Sequence, residues 1–254
     1  MPKVFTHPKS LKNTLFHYCP GCGHSIVHRL LCEVIDELNI QDKCLGISSI
    51  GCAVFLYFYI DVDIIEAPHG RACAAATGAK RATPDLIVFT YQGDGDFAAI
   101  GLGESLHAAL RGEKITVIMI NNTLYGMTGG QMSPTTVPGQ ITTTTPEGRD
   151  PDIFGSPIKS AEILASFDGV AFSGRVTLNT PKRILETKKA IKKAFLAQIY
   201  NLGFGFVEVL SPCPVNWKMT PVESMKYIDE LTKTFPIGIF KDKVSEFLKN
   251  EKRK

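Results

Sequence analysis

The chain has 254 residues and a formal net charge of +3 at pH 7. A hydrophobic fraction of 44% with 21% charged residues excludes a disordered or collagen-like chain. The longest uninterrupted apolar run, residues 53–60, is far short of the ~20 residues that cross a bilayer. The small charge does not predict a nucleic-acid partner.

The N-terminal residues 1–16 are polar and contain Pro2 and Pro8, so we predict an arm over the surface or over a partner. They hold no apolar export segment with a cleavage site, and we therefore expect a cytoplasmic protein. Seven cysteines in a reducing compartment favour buried thiols or metal ligands over a disulfide framework.

Hydrophobic periodicity predicts alternating helices and strands in chain order. The first predicted helix is 24–38 and ends at Asn39, and the second is 71–82. A third helix of about a dozen residues ends at Leu110. A basic helix is predicted at 182–200, and short helices at 223–232 and 241–249. The predicted strands are 45–50, 62–67, 85–91, 114–120, 170–177 and 204–210. Strand, helix and strand in succession predict a single α/β domain at 1–254, with a mostly parallel sheet, helices on both faces and a C-terminal helical extension at about 215–254. Its ligand should lie at the carboxyl ends of the strands.

Two segments have separate interpretations. The stretch 126–157 is rich in Gly, Pro and Thr, and a loop of this length is usually functional or contacts a partner. The lysines of the basic helix are interpreted as a solvated face, and they are Lys188, Lys189, Lys192 and Lys193.

Polar residues follow two neighbouring predicted strands. Gly93-Asp94-Gly95-Asp96 comes after one strand, and Asn121-Asn122 ends the next. Asp94 offers a carboxylate and Asn122 an amide oxygen, which are ligands that Mg²⁺ takes alongside phosphate oxygens. The flanking glycines let the backbone approach a diphosphate.

This motif resembles the thiamine diphosphate signature, and the resemblance makes Asp94, Asn122 and the carbonyl of Leu124 the magnesium ligands. The chain from about residue 17 to 240 resembles the beta subunit of a 2-oxoacid:ferredoxin oxidoreductase. The matching pieces are His17 to His24, Gly51-Cys52, His69-Gly70-Arg71-Ala72, the stretch 93–131 and Ser211-Pro212-Cys213-Pro214. The cofactor-binding residues expected from this resemblance are Gly51, Cys52, His69, Gly93, Asp94, Gly95, Asp96, Asn122, Leu124, Gly126, Met127 and Thr128.

The Cys19-Pro20-Gly21-Cys22 loop is ambiguous by itself, because zinc, an iron–sulfur cluster and a redox pair all use this spacing. Two further cysteines, Cys52 and Cys213, follow predicted strands. The resemblance implies that these four cysteines hold a 4Fe–4S cluster. The remaining three are interpreted as buried small hydrophobic residues, and they are Cys32, Cys44 and Cys73.

The resemblance implies oxidative decarboxylation of a 2-oxoacid to acyl-CoA and CO₂, with electrons leaving through the cluster to ferredoxin. It also implies an alpha subunit that carries the pyrimidine-binding domain and the catalytic glutamate. A gamma subunit and a ferredoxin-like subunit are further candidates. Expected catalytic residues are His69, Arg71 and Thr128, with Gln131 near them. Residues 53–57 contain no Lys or Arg, which favours a branched-chain substrate such as 2-oxoisovalerate over 2-oxoglutarate.

Two rival functions stay open at this point. A non-oxidative thiamine decarboxylase or carboligase would share Asp94 and Asn122 without needing four cysteines. A zinc-stabilised α/β binding module would use the cysteines structurally and bind no thiamine. A nicotinamide dehydrogenase is disfavoured, because Gly101 and Gly103 lack the third glycine of that fingerprint.

Overall fold

A seven-stranded sheet forms the centre of the protein in the computed structural model, which describes residues 6–251. The strands are β1 (Cys44–Ser49), β2 (Asp63–Ala67), β3 (Ile87–Gly93), β4 (Thr116–Asn121), β7 (Val170–Thr177), β8 (Phe204–Leu210) and β9 (Gly238–Asp242), and a small hairpin adds β5 (Leu124–Tyr125) and β6 (Gln131–Met132). The order in the sheet is β2-β1-β3-β4-β8-β7-β9. All neighbours are parallel except β7 and β9, so the predicted mostly parallel sheet is confirmed.

Helices cover both faces of this sheet. They are α1 (His24–Leu38), α2 (Leu56–Tyr59), α3 (Ala72–Ala82), α4 (Leu102–Leu110), α5 (Pro151–Phe154), α6 (Ser160–Ala165), α7 (Pro181–Ile199), α8 (Pro214–Trp217), α9 (Pro221–Thr234) and α10 (Lys243–Glu251). The apolar residues of α1 and α7 pack against the strand side chains on one face of the sheet and form one core. Those of α3, α4 and α6 pack against the other face and form a second core. Every residue of β4 is buried, as expected for a central strand covered on both sides.

Local capping explains where several helices begin and end. Asn39 ends α1 in the left-handed conformation, with φ of 52°, as its position predicted. The hydroxyl of Thr180 accepts a hydrogen bond from the backbone N–H of Arg183 at the start of α7. Thr220 and Glu223 form a capping box that begins α9.

The C-terminal part differs from the sequence-based expectation. The predicted helical extension at 215–254 contains β9 as well as helices, and β9 closes one edge of the sheet by pairing antiparallel with β7. Residues 1–5 of the predicted arm and 252–254 of the extension lie outside the described residues. Between 6 and 251, no helix is both long and apolar enough to cross a membrane.

Candidate active site at the carboxyl ends of β1, β3 and β4

A cleft opens where β1, β3 and β4 end, and it contains all the residues expected to bind the cofactor. Its lining consists of His24, Ile50, Gly51, Cys52, Ala53, His69, Gly93, Asp94, Gly95, Asp96, Ile120, Asn122, Leu124, Tyr125, Gly126, Met127 and Thr128. Because the strands are parallel, residues far apart in the chain reach one edge of the sheet together.

Three groups that carry oxygen meet at the bottom of this cleft. One terminal atom of the Asn122 amide lies 2.6 Å from the carbonyl oxygen of Leu124 and 3.3 Å from Oδ1 of Asp94. With nitrogen at that position, the amide donates to both oxygens; with oxygen there, three oxygens converge, which requires a cation between them. Adjacent ligands of Mg²⁺ stand roughly 2.9 Å apart, given metal–oxygen distances of about 2.0–2.1 Å. The residues present therefore fit the implied magnesium ion.

Asp94 is almost fully buried, at 2% exposure. Its Oδ2 accepts a hydrogen bond from the hydroxyl of Ser133 at 2.7 Å and another from the hydroxyl of Thr135. Burial raises the pKa of this carboxyl to about 6, and the two hydroxyls partly offset that rise. Oδ2 is thus occupied by protein donors, and Oδ1 is the oxygen that faces Asn122.

The turn that presents the Leu124 carbonyl is held in an unusual conformation. Thr123 has φ of 64°, a left-handed value that is uncommon for a residue other than glycine. Its N–H donates to Oδ1 of Asn121 at 3.0 Å, and its hydroxyl accepts from Gln140 at 2.7 Å. These contacts fix the direction of the backbone where the ligand carbonyl is needed.

A buried ion pair anchors the same turn from below. The side-chain amide of Asn121 donates to Glu208 at 2.7 Å, and Nε of Arg175 lies 3.0 Å from the other oxygen of Glu208. Arg175 and Glu208 are both fully buried. Burial raises the pKa of Glu208, and the charge of Arg175 counteracts that rise.

Arg149 organises the long loop that supplies Ser133 and Thr135. Its buried guanidinium donates to five backbone carbonyls, which are those of Ser133, Pro134, Thr136, Phe154 and Gly155, at 2.7–3.3 Å. The segment 126–157 therefore contains strand β6, helix α5 and this central cation. No sequence motif marks Arg149, Ser133 or Thr135 as site residues.

Asp96 lines the cleft, but its carboxylate is directed at the loop after β2. Oδ1 accepts from the His69 ring and from the backbone N–H of Gly70 at 2.6 Å, while Oδ2 accepts from Gln92 at 2.5 Å. Gly70 has φ of 78°, and a Cβ there would stand 2.7 Å from the backbone nitrogen of Gly101. Asp96 thus positions His69 at the cleft.

Two predicted catalytic residues have unequal positions. Thr128 is exposed at the cleft, and its hydroxyl donates to Gln131 at 2.6 Å. Arg71 does not line the cleft; its guanidinium pairs with Glu104 on α4 at 2.5 Å. The structure therefore does not place Arg71 among the residues that line the cleft.

The four cysteines expected to hold a cluster come close to one another. Burial raises the pKa of Cys22 to about 12 and that of Cys52 to about 11, and charges on the neighbouring thiolates add to both rises. Cys19 and Cys213 are among those neighbours. Within residues 6–251, no three side chains of His, Cys, Asp or Glu converge on a point that suits a single metal ion.

The three cysteines interpreted as hydrophobic residues are separate from this group. Cys32, Cys44 and Cys73 are buried, at 0–3% exposure, within the two cores of the sheet. That interpretation is confirmed by their burial.

Helix α8 links the cysteines to the cleft. The side-chain amide of Asn216 donates to the Gly126 carbonyl at 2.9 Å and to the Cys213 sulfur at 3.4 Å. The indole N–H of Trp217 donates to the Asn122 carbonyl at 3.0 Å. A Cβ at Gly126 would stand 3.5 Å from the Cys52 sulfur and 3.3 Å from the side-chain nitrogen of Asn122, so this glycine lies between the cysteine group and the cleft.

A buried group of rings lies beneath Cys52, and sequence reasoning did not single it out. Nδ1 of His24 is 2.8 Å from the Tyr91 hydroxyl, and the Tyr18 hydroxyl is 2.8 Å from Nε2 of His28. Burial lowers the pKa of His24 to about 3 and that of His28 well below its usual value. Both imidazoles are therefore neutral at physiological pH.

Comparisons with known proteins agree with this geometry. Residues 50–209 match the model of the thiamine pyrophosphate enzyme C-terminal TPP-binding domain. A beta subunit of 2-oxoacid:ferredoxin oxidoreductase from a Sulfolobus species is 32% identical over 239 residues, which cover 91% of this chain and 74% of that protein. This chain belongs to the 2-oxoacid:ferredoxin oxidoreductase beta-subunit family.

The chain covers different shares of two further similar proteins. The ketoisovalerate oxidoreductase subunit VorA of Methanothermobacter thermautotrophicus is 47% identical over 96% of this chain, and the chain spans 51% of that protein. A solved 2-oxoglutarate:ferredoxin oxidoreductase from Magnetococcus marinus has the same fold as this chain. The two structures match with a TM-score of 0.77 and 24% sequence identity, and the match covers 99% of this chain and 91% of that chain.

Proposed function

We propose that this chain carries the diphosphate site and the 4Fe–4S cluster of a 2-oxoacid:ferredoxin oxidoreductase. The overall reaction converts a 2-oxoacid, coenzyme A and two oxidised ferredoxins into acyl-CoA, CO₂, one proton and two reduced ferredoxins. The observation that supports it is the position of Gly126, which separates Asn122 of the magnesium site from Cys52 of the cysteine group by about one residue's width. A thiamine cofactor and a one-electron acceptor side by side suit stepwise oxidation.

The residues of the cleft have distinct roles in this proposal. Asp94, Asn122 and the Leu124 carbonyl would hold Mg²⁺ and through it the diphosphate, and Gly95 lets the backbone approach. When bound, thiamine diphosphate supplies the nucleophilic carbon and the electron sink for decarboxylation. His69, oriented by Asp96, offers a polar side chain to the substrate, and Thr128 offers a hydroxyl. Cys19, Cys22, Cys52 and Cys213 would hold the cluster.

The proposed substrate is an apolar 2-oxoacid of the 2-oxoisovalerate type, with 2-oxoglutarate as the alternative. Among the described residues, none of those lining the cleft is Lys or Arg, and a second substrate carboxylate would favour such a cation. The relative with 47% identity is named a ketoisovalerate oxidoreductase, while the solved structure with this fold is named for 2-oxoglutarate.

The proposed partners and location follow from the same reaction. An alpha subunit would carry the pyrimidine-binding domain and the glutamate that activates the cofactor. A gamma subunit and a ferredoxin-like subunit would complete the assembly, with coenzyme A as co-substrate and ferredoxin as acceptor. We place this assembly in the cytoplasm.

The deciding experiment is metal and cofactor analysis of the complex that contains this chain, purified without oxygen. Iron, acid-labile sulfide, zinc and thiamine diphosphate are measured in the wild type and in Cys213→Ala, with Cys44→Ala as the control. We expect Cys213→Ala to lose about four irons, the content of one cluster, while it retains thiamine diphosphate. Thiamine diphosphate with iron unchanged by Cys213→Ala would indicate a non-oxidative thiamine enzyme. Zinc without thiamine diphosphate would indicate a binding module.

A further inference from the structure

Asn216 is the one residue of α8 whose side chain donates hydrogen bonds both to the cysteine group, at Cys213, and to the loop after β5, at Gly126. Its amide has two N–H groups, and the structure uses both. One donates to the Gly126 carbonyl at 2.9 Å, and the other to the Cys213 sulfur at 3.4 Å.

The rest of the surroundings fix this amide in place. The backbone N–H of Trp217 donates to the Cys213 carbonyl at 3.0 Å and closes the single turn of α8, and the Trp217 indole donates to the Asn122 carbonyl at 3.0 Å and attaches the end of this helix to the cleft. A Cβ at residue 130 would stand 3.1 Å from Oδ1 of Asn216. Gly130 therefore gives the amide room, and it adopts φ of 86° there.

We propose that Asn216 is a positioning residue that couples the two cofactor sites, by stabilising the reduced cluster through the Cys213 sulfur and by holding the Gly126 loop at the diphosphate. The inference rests on the proposed function. A hydrogen bond to a cysteine sulfur raises the reduction potential of a cluster, because the reduced cluster carries one more negative charge than the oxidised cluster. The bond to Gly126 fixes the backbone of the loop after β5, which lies in space between Asn122 and Cys52.

The test uses Asn216→Leu, which retains the approximate shape and removes both donors. The complex is purified without oxygen, and its cluster is titrated electrochemically while the reduced cluster is followed by electron paramagnetic resonance. The signal of this cluster is assigned by its loss in Cys213→Ala. Val215→Ala is the matched control, because Val215 is 61% exposed on the same helix.

We expect Asn216→Leu to retain about four irons in this cluster, with a more negative midpoint potential and a several-fold weaker affinity for Mg²⁺–thiamine diphosphate. Asn216→Gln, which keeps both amide donors, should recover part of each change. Val215→Ala should match the wild type. If either the potential or the affinity of Asn216→Leu equals that of the wild type, the coupling is refuted.

Two further outcomes separate this inference from the proposed function. If the wild-type complex holds no cluster that depends on Cys213, the proposed function fails first. If the wild type holds both cofactors and only the Asn216→Leu result is negative, the inference alone fails. Should Asn216→Leu lose its iron, Asn216→Ala, which also removes both donors, is measured in the same way, and a wild-type potential in that variant overturns the coupling.

Discussion

The amide of Asn122 lies 3.3 Å from Oδ1 of Asp94, although the two residues follow different strands of the sheet. The pairing follows from the register of β3 and β4, in which Gly93 is opposite Ile120. The two side chains therefore leave their strands within one residue of the same level, one carrying a charge and the other a neutral oxygen. The pairing of two adjacent strands thus brings two of the proposed magnesium ligands together.

Replacing Asp94 by alanine should abolish binding of Mg²⁺ and thiamine diphosphate, since it removes the only carboxylate directed at the Asn122 amide among the described residues. We expect at least ~100-fold weaker binding by calorimetry, with the iron content unchanged. Asp42→Ala, at an exposed position, is the control and should bind normally. Normal cofactor binding by Asp94→Ala would refute the metal assignment.

Replacing Thr135 by valine tests the hydroxyl that donates to Asp94. The substitution keeps the shape and removes the donor, so we expect ~10-fold to 100-fold weaker affinity for Mg²⁺ with little change in the cluster. Titration of Mg²⁺ binding by calorimetry measures the effect. Thr143→Val, at an exposed position of the same loop, is the control. Equal affinities for the two variants would show that the hydroxyl does not orient the carboxylate.

Replacing Arg175 by methionine leaves the carboxylate of Glu208 buried without its partner. We expect the free energy of unfolding to fall by about 3–5 kcal/mol in chemical denaturation. Arg175→Met combined with Glu208→Gln should recover part of that loss, because the uncompensated charge is removed. Arg183→Met breaks a half-exposed pair with Glu186 and should cost no more than about 1 kcal/mol. A comparable loss in both single variants would contradict a special role for the buried pair.

Acidification should destabilise the cofactor-free protein through His24 and His28. Both histidines are held neutral by burial, whereas in the unfolded chain they titrate near 6.5. Their contribution to stability is therefore complete above pH 6.5 and is lost as the pH falls toward the folded pKa of each ring. Together they should lower the free energy of unfolding by up to about 2.7 kcal/mol per pH unit.

Urea denaturation at pH 7 and pH 5.5 measures this slope. His28→Gln should reduce it by roughly half of the contribution from the two histidines, because one proton fewer is taken up on unfolding. His107→Gln, at an exposed position, is the control and should leave the slope as it is. An unchanged slope in His28→Gln would show that His28 is already protonated in the folded protein.

The parts of the fold that depend on local patterns could be predicted from the sequence. Helix α1 has the predicted bounds because its apolar residues recur with a helical period, and strands β7 and β8 have them because they are fully buried runs rich in Val and Phe. Strand β9 was not predicted. It is a half-buried edge strand that is stabilised by antiparallel pairing with β7, and its own residues show no alternation of burial.

The candidate site divides in the same way. Asp94, Asn122 and the cysteines stand in motifs, so their positions were predictable. Arg149 could not be found from the sequence, because its five acceptors are backbone carbonyls, which have no residue-type signal. Asn216 was missed for a related reason, since its two contacts join segments that only the folded sheet brings together.

Strands β3 and β4 are third and fourth in the order of the seven-stranded sheet, so both lie in its interior. This position affects the dynamics of the site. Amide groups in the interior of a sheet exchange with solvent only when the whole domain opens, whereas those of edge strands exchange through local fraying. Strands β3 and β4, which precede Asp94 and Asn122, should therefore contain the slowest-exchanging amides of the molecule. Loss of the cofactor would leave these two strands folded, and rebinding of the cofactor would require no refolding of them.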